Sequence, residues 1–273
     1  RCFLSGNFRG RLYPVNPNIK QFLGLKFYPS VLDIPGEVDY AVILTPAELT
    51  PRVIEDCVKK RIPAVQIFSS GFRESSARGA SLEEEILRRA DEKVRIIGPN
   101  CMGVYCPESG LTYRSSFPVE SGSLAFISQS GGFSITFVVW AQEHGMRFSK
   151  VISYGNACDL ESTDFLEYLA EDKKTKIVTA YIEGVKNGGR FLEACKKVAE
   201  KKPLIIWKAG KTVEGARAAS SHTGSLAGTA NTWDAALRQA GAISVDDFSE
   251  LVHTTLAFYF LRPPKGKNVG CIE

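Results

Sequence analysis

Ser221-His222-Thr223-Gly224-Ser225 is the segment whose residue types point most directly to chemistry. His222 is one of three histidines in the chain, beside His144 and His253. Its neighbours, Ala218-Ala219-Ser220-Ser221 before it and Thr223-Gly224-Ser225 after it, are small and polar and leave the imidazole unobstructed. A neutral imidazole nitrogen attacks phosphorus near neutral pH without further activation, and the resulting high-energy bond suits a reversible phosphate relay. A carboxylate on the other ring nitrogen would set the tautomer. Glu183, which ends an apolar run and precedes Gly184, is the best-placed candidate. His144 stands before Gly145 at a predicted helix end and His253 lies in an amphipathic stretch, so both read as structural.

The second constellation is Ser128-Gln129-Ser130-Gly131-Gly132, directly after an apolar run. Glycines at a strand-to-helix turn let backbone N–H groups converge, and the helix behind them presents its positive end, which together make a phosphate site. The same residues also make a plain tight turn. They match neither the phosphate-loop pattern nor G-x-G-x-x-G, so on the residues alone both readings stand. A serine hydrolase would need a G-x-S-x-G elbow, which this segment is not. Metal binding would need His, Cys or carboxylates at ligand spacing, and the chain shows no such cluster.

The elements that must position these residues alternate short β-branched runs with amphipathic stretches, the mark of an α/β fold with parallel sheets. The patterning predicts strands over 12–15, 40–44, 64–68 and 94–97. It predicts helices from Thr45-Pro46 to about Arg61, with Thr45 as cap and Pro46 in the first turn, and over 81–91. The strands end in small or polar loops: Asn16-Pro17, Thr45-Pro46, Ser69-Ser70-Gly71 and Gly98-Pro99-Asn100. Ligands of such sheets sit outside the carboxyl ends of the strands, so these loops form one candidate site. No strand with a Gly-rich turn is legible before Leu12.

A second series follows, with strands predicted over 123–128, 151–154, 177–182, 204–207 and 242–245. Helices are predicted over 133–145, 162–171, 190–201, 229–240 and 248–261. Residues 262–267 read as a linker and 268–272 as the first strand of a further, truncated domain. The expected division is therefore 1–115, 116–262 and 263–273.

The 273 residues are 44 % hydrophobic and 23 % charged, the composition of a soluble globular protein. The formal charge of +4 is spread among residues of both signs with no basic block, which gives nucleic acid no electrostatic footprint. The seven cysteines form no C-x-x-C pair, and the odd count argues for thiols of a reducing, cytoplasmic setting. No apolar run approaches the ~18 residues of a membrane span. The start, Arg1-Cys2-Phe3-Leu4, resembles no signal peptide and is not a Met, so the chain reads as a piece of something longer.

Seven segments, in order, carry a family resemblance. They are Tyr13-Pro14-Val15-Asn16-Pro17, Tyr28-Pro29-Ser30-Val31-Leu32-Asp33-Ile34-Pro35, Ser69-Ser70-Gly71-Phe72 and Gly98-Pro99-Asn100-Cys101-Met102-Gly103. Ser128-Gln129-Ser130-Gly131-Gly132, Tyr181-Ile182-Glu183-Gly184 and Ser221-His222-Thr223-Gly224-Ser225-Leu226-Ala227-Gly228 complete the set. Over its whole length the chain resembles the α part of NDP-forming acyl-CoA synthetases, the superfamily of succinyl-CoA synthetase, with a closer likeness to ADP-forming acetate–CoA ligases.

The resemblance implies an incomplete Rossmann-like CoA-binding domain, lacking its first strand and Gly-rich turn, followed by a flavodoxin-like ligase domain. It implies an acid–thiol ligase in which His222 is phosphorylated, Glu183 steadies it, and Ser128, Gln129, Ser130, Gly131 and Gly132 bind phosphate. Val15, Asn16, Pro17, Thr45, Pro46, Ser69, Ser70, Gly71 and Asn100 would hold CoA. Phosphate would attack an acyl-CoA, the acyl phosphate would phosphorylate His222, and the phosphoryl group would pass to ADP. ADP or ATP with Mg2+ would sit on an ATP-grasp β subunit or domain, with no metal in this chain. The assembly would be a hetero-oligomer, or a homodimer of a fused chain, acting on a small carboxylic acid. Two alternatives are the regulatory region of a protein lysine acetyltransferase and a CoA-binding module without catalysis; retained His222 and Glu183 argue against the first.

Overall fold

The structure, a computed structural model, describes residues 2–5, 7–211, 230–261 and 266. After a short helix α1 (Cys2–Ser5) and a small antiparallel pair, β1 (Gln21–Phe22) and β2 (Leu25–Lys26), the first unit is a parallel sheet of order β3-β4-β5. Its strands are Tyr40–Ile43, Ala64–Ile67 and Arg95–Ile97. Helices α2 (Thr50–Lys60) and α3 (Ala77–Ala90) connect them and bury Ile54, Cys57, Ile86 and Ala90 against Val65, Ile67 and Ile96.

Three predictions for this unit need correction. Residues 12–15 form no strand: they contribute one bridge, Val15 to Tyr28, with Asn16 N donating to Tyr28 O and Tyr28 N to Pro14 O. Pro14 and Pro17 lack the N–H groups that would extend a ladder. Nor does an α-helix start at Thr45. Ala47–Leu49 is a single tight turn, and α2 begins at Thr50, with Pro51 in its first turn where a missing N–H is harmless. Likewise α3 begins earlier than predicted because Ser76 Oγ accepts the Gly79 N–H and caps it.

The second unit is a six-stranded sheet of order β11-β10-β9-β7-β8-β6. It comprises β7 (Leu124–Ser128), β8 (Phe148–Ser153), β9 (Ile177–Ile182), β10 (Leu204–Lys208) and β11 (Ile243–Val245), all parallel, and β6 (Gly103–Tyr105), antiparallel to β8. Without β6 the order is the doubly wound 2-1-3-4-5 of flavodoxin-like folds. Alternation along the strands feeds two cores. Phe126, Phe148 and Val151 pack with Phe137 of α4 (Gly131–Glu143) and Leu251 of α8 (Phe248–Phe260). On the other face Ile127, Ala180 and Ile206 meet Leu166 of α5 (Ser162–Glu171), Phe191 of α6 (Gly188–Ala199) and Trp233 of α7 (Ala230–Gln239). The segment containing Ser221-His222-Thr223-Gly224-Ser225 and the predicted strand 268–272 lie outside the described residues. No helix among the described residues is long and apolar enough to cross a membrane.

The two units meet along the loop after β5 and the loop after β8. Asn156 N donates to Pro99 O (3.0 Å), Cys158 N to Gly98 O (3.0 Å) and Leu160 N to Ile96 O (3.2 Å). Asp159 accepts from Arg95 Nε and Nη2, each at 2.9 Å, and from the Ile96 N–H at 2.8 Å. At the closest approach stands Gly155, with φ +53°. A Cβ there would lie 2.3 Å from the carbonyl oxygens of Pro99 and Asn100, and backbone cannot yield as a flexible side chain can. Gly155→Ala is therefore expected to destabilise the protein by about 2–4 kcal/mol, measured by denaturant unfolding; a loss below about 0.5 kcal/mol would contradict this close approach.

Candidate active site

The carboxyl ends of both sheets open into one cleft of about 1030 Å³. From the first unit it is lined by Thr45 and Pro46 after β3, Ser69 and Ser70 after β4, and Asn100 after β5. These loops are stitched together: Ser69 Oγ donates to Thr45 O (2.6 Å), and Asn100 N, at φ +56°, donates to Ser69 O (3.0 Å). From the second unit the lining includes Gln129, Ser130, Gly131, Gly132 and Glu183.

Other sequence-derived candidates are not on this wall. Ser128 is fully buried, and its Oγ donates to Ser130 O (2.8 Å) and accepts the Ser130 N–H (3.2 Å), so it shapes the turn from beneath. Gly71 directs its N–H to Glu74 Oε1 (2.7 Å). Val15, Asn16 and Pro17 do not line the cleft, and Asn16 Oδ1 accepts the Asn18 N–H (2.9 Å) in a local turn.

The Ser130-Gly131-Gly132 turn has the geometry of an anion seat. Ser130 Oγ accepts the Phe133 N–H (3.2 Å) and caps α4. The first N–H groups of a helix have no intrahelical acceptor, and here they belong to cleft-lining glycines at the positive end of α4. Each glycine has its own relation to the cleft. A Cβ on Gly131 would lie 2.8 Å from Met102 Cγ, whereas one on Gly132 would meet nothing within 4 Å and would project into open space.

Glu183 follows the last residue of β9, across the turn. Gln129 Oε1 accepts the N–H groups of both Glu183 and Gly184, the latter at 2.9 Å. Sequence patterning missed two lysines at the end of β10. Lys208 is 2 % exposed; its ammonium donates to Ala209 O and lies 5.0 Å from the Trp233 ring centroid. Burial lowers its pKa, and the negative charge of Glu183 partly opposes that fall. Lys211 donates to Asp234 Oδ1 (2.8 Å), Ser244 Oγ (2.9 Å) and Asp246 Oδ1 (2.6 Å). Burial disfavours its charge, but the two carboxylates outweigh burial and hold its pKa above the ordinary value. The available signal was that Lys208 closes an apolar strand and Lys211 follows Gly210 just beyond its carboxyl end.

Cys101 also lines the cleft, but burial pushes its thiol up to about 12, which leaves it protonated and unsuited to nucleophilic attack. Burial and then the charge of Glu183 push the Tyr181 phenol up to about 12. Asn156, also unpredicted, ties the cleft wall to the first unit: its Nδ2 donates to Glu74 Oε2 (2.5 Å) and Glu83 Oε2 (2.9 Å). Among the described residues no group of three or more His, Cys, Asp or Glu could hold a metal ion.

Comparison with known proteins matches both halves. A CoA binding domain model matches residues 2–107, and the model of the succinyl-CoA ligase like flavodoxin domain matches residues 121–258. The chain is 44 % identical over 269 residues to acetate–CoA ligase [ADP-forming] I of Archaeoglobus fulgidus, covering 97 % of this chain and 39 % of that protein. It is 41 % identical over 263 residues to the acetate–CoA ligase [ADP-forming] II subunit alpha of Pyrococcus furiosus, covering 96 % of this chain and 57 % of that subunit. The dinucleotide-forming acetyl-coenzyme A synthetase 1 of Ca. Korarchaeum cryptofilum, solved with phosphate and ADP, superposes with a TM-score of 0.90 at 36 % identity, over 97 % of this chain and 57 % of that one. The chain thus spans between about two-fifths and three-fifths of the length of these relatives. With a CoA-binding domain before it and that α/β sheet behind the cleft, the chain belongs to the family of the succinyl-CoA ligase-like flavodoxin domain.

Proposed function

We propose that this chain is the α part of an ADP-forming acyl-CoA synthetase, interconverting acyl-CoA, ADP and phosphate with a carboxylic acid, CoA and ATP. The observation that carries the reading is the single cleft in which loops of the CoA-binding unit face the capped amino end of α4 and Glu183. The names of the relatives, acetate–CoA ligases that form ADP, support the reaction class. CoA would lie against Thr45, Pro46, Ser69, Ser70 and Asn100 with its thioester reaching toward Gly131 and Gly132. Val15, Asn16, Pro17 and Gly71, which the cleft lining does not include, would touch only parts of CoA that extend beyond the cleft.

In the thioester-consuming direction, phosphate seated on the Gly131 and Gly132 N–H groups attacks the acyl carbon, and the CoA thiolate leaves with a proton. His222 then attacks the phosphorus of the acyl phosphate and releases the carboxylate. Glu183 holds the second imidazole nitrogen and stabilises the positive charge that develops on the ring. Backbone donors and the α4 dipole meet charge on the phosphoryl oxygens throughout. Phosphohistidine passes its phosphoryl group to ADP. The nucleotide with its Mg2+ would bind an ATP-grasp part, on a separate β subunit or elsewhere in a fused chain.

Two outcomes test this reading on the full-length enzyme with its nucleotide-binding part. Incubation with γ-labelled ATP is expected to leave acid-labile, base-stable label on the chain, abolished by His222→Ala; label that persists in the variant would overturn the assignment. Gly132→Ala is expected to keep the melting temperature, since its Cβ meets open space, while raising the KM for phosphate about tenfold or more by crowding the anion seat. An unchanged phosphate KM would place the anion elsewhere.

A further inference from the structure

We propose that Gln129 acts as a positioning residue through its side-chain oxygen, which fastens Glu183 to the phosphate turn and sets the spacing between carboxylate and transferred group. The inference rests on the function proposed above. Its physical basis is the way the sheet ends. The β7–β9 ladder runs from Leu124↔Ile177 to Ser128↔Tyr181, and Gln129 N adds one more bond to Tyr181 O (3.2 Å). Beyond that point β7 turns into α4, so the N–H groups of Glu183 and Gly184 face no strand. Buried N–H groups need an acceptor. Gln129 Oε1 accepts both, standing in for the carbonyl that β7 no longer offers.

Both lone pairs of that oxygen are thereby used, which leaves the Nε2 amide as the one polar group of the side chain that could still reach an anion, and the phosphate KM reports on that. Gln129 is 8 % exposed, so the tether is shielded from competing water. The other end of the same turn is held independently. Glu161, 5 % exposed, accepts the Lys186 N–H at Oε2 (3.0 Å) and the Thr163 hydroxyl at Oε1 (3.0 Å). Residues 183–186 are thus pinned at both ends by buried side chains, and only the Gln129 end is joined to the anion seat.

The test compares Gln129→Met, which removes the acceptor at similar length, with Gln129→Glu, which keeps an acceptor oxygen. In the full-length enzyme, Gln129→Met is expected to lower kcat about tenfold to a hundredfold while the phosphate KM stays within about twofold. Amide hydrogen exchange in the peptide spanning 183–187 is expected to accelerate at least tenfold in Gln129→Met and to retain its protection in Gln129→Glu, with β9 unchanged in both. A rise in phosphate KM as large as the fall in kcat would make Gln129 a ligand and overturn the proposal, as would unchanged exchange at 183–187 in Gln129→Met. If Gln129→Met does not fold, Gln129→Asn, one methylene shorter, withdraws the oxygen and is read in the same way. A wild-type enzyme without ligase activity would defeat the proposed function instead, and the exchange arm would still report on the tether.

Discussion

The site depends on the reversal of strand order at β7. Strands β8 and β9 flank it, and the helices that follow β7 and β9, α4 and α6, pack on opposite faces of the sheet. A crevice must open where the connections part, at the carboxyl ends of β7 and β9. The amino end of α4 and Glu183 stand on its two sides for that reason. The first unit then closes the crevice into a cleft. Its loop over Gly98, Pro99 and Asn100 is hydrogen-bonded to the loop after β8, and the Arg95–Asp159 pair reinforces the seam. The loops after β3, β4 and β5 are therefore held opposite the α4 turn.

Charge in the cleft is arranged sparingly. No arginine appears among its described lining residues. Lys211 is committed to Asp234 and Asp246, and Lys208 is buried over Trp233. In the proposed reading an anion would be met chiefly by helix N–H groups and the helix dipole, which need no desolvation of a long side chain. A phosphoryl group that must arrive and leave suits a seat of this kind better than a bidentate clamp.

Much of this was legible in the residues. The apolar runs over β3, β4, β7, β9 and β10 mark parallel strands, and of the four first-unit loops that the sequence groups into one site those after β3, β4 and β5 share the cleft while Asn16-Pro17 does not line it. The Ser128-Gln129-Ser130-Gly131-Gly132 turn was legible as a strand-to-helix junction. What was not legible depended on tertiary pairing. Strand β6 has three residues and no alternation, and it exists only because β8 offers an edge. The bridge at Val15 looked like a strand because patterning does not weigh the missing donors of Pro14 and Pro17. The start of α2 at Thr50 turned on Pro51, one turn beyond the capping pattern at Thr45. The roles of Gln129 and Asn156 are contacts across long stretches of chain, to Glu183 and Gly184 and to Glu74 and Glu83, which spacing does not reveal.

The central claim is that one cleft holds the thioester and the phosphate that attacks it. It is tested most directly by a crystal structure of the full-length enzyme with CoA and phosphate. The account predicts phosphate density on the N–H groups of Gly131 and Gly132, with the CoA thiol reaching the same cleft past Ser69 and Asn100. CoA or phosphate bound outside this cleft, with the Gly131–Gly132 turn empty, would contradict it.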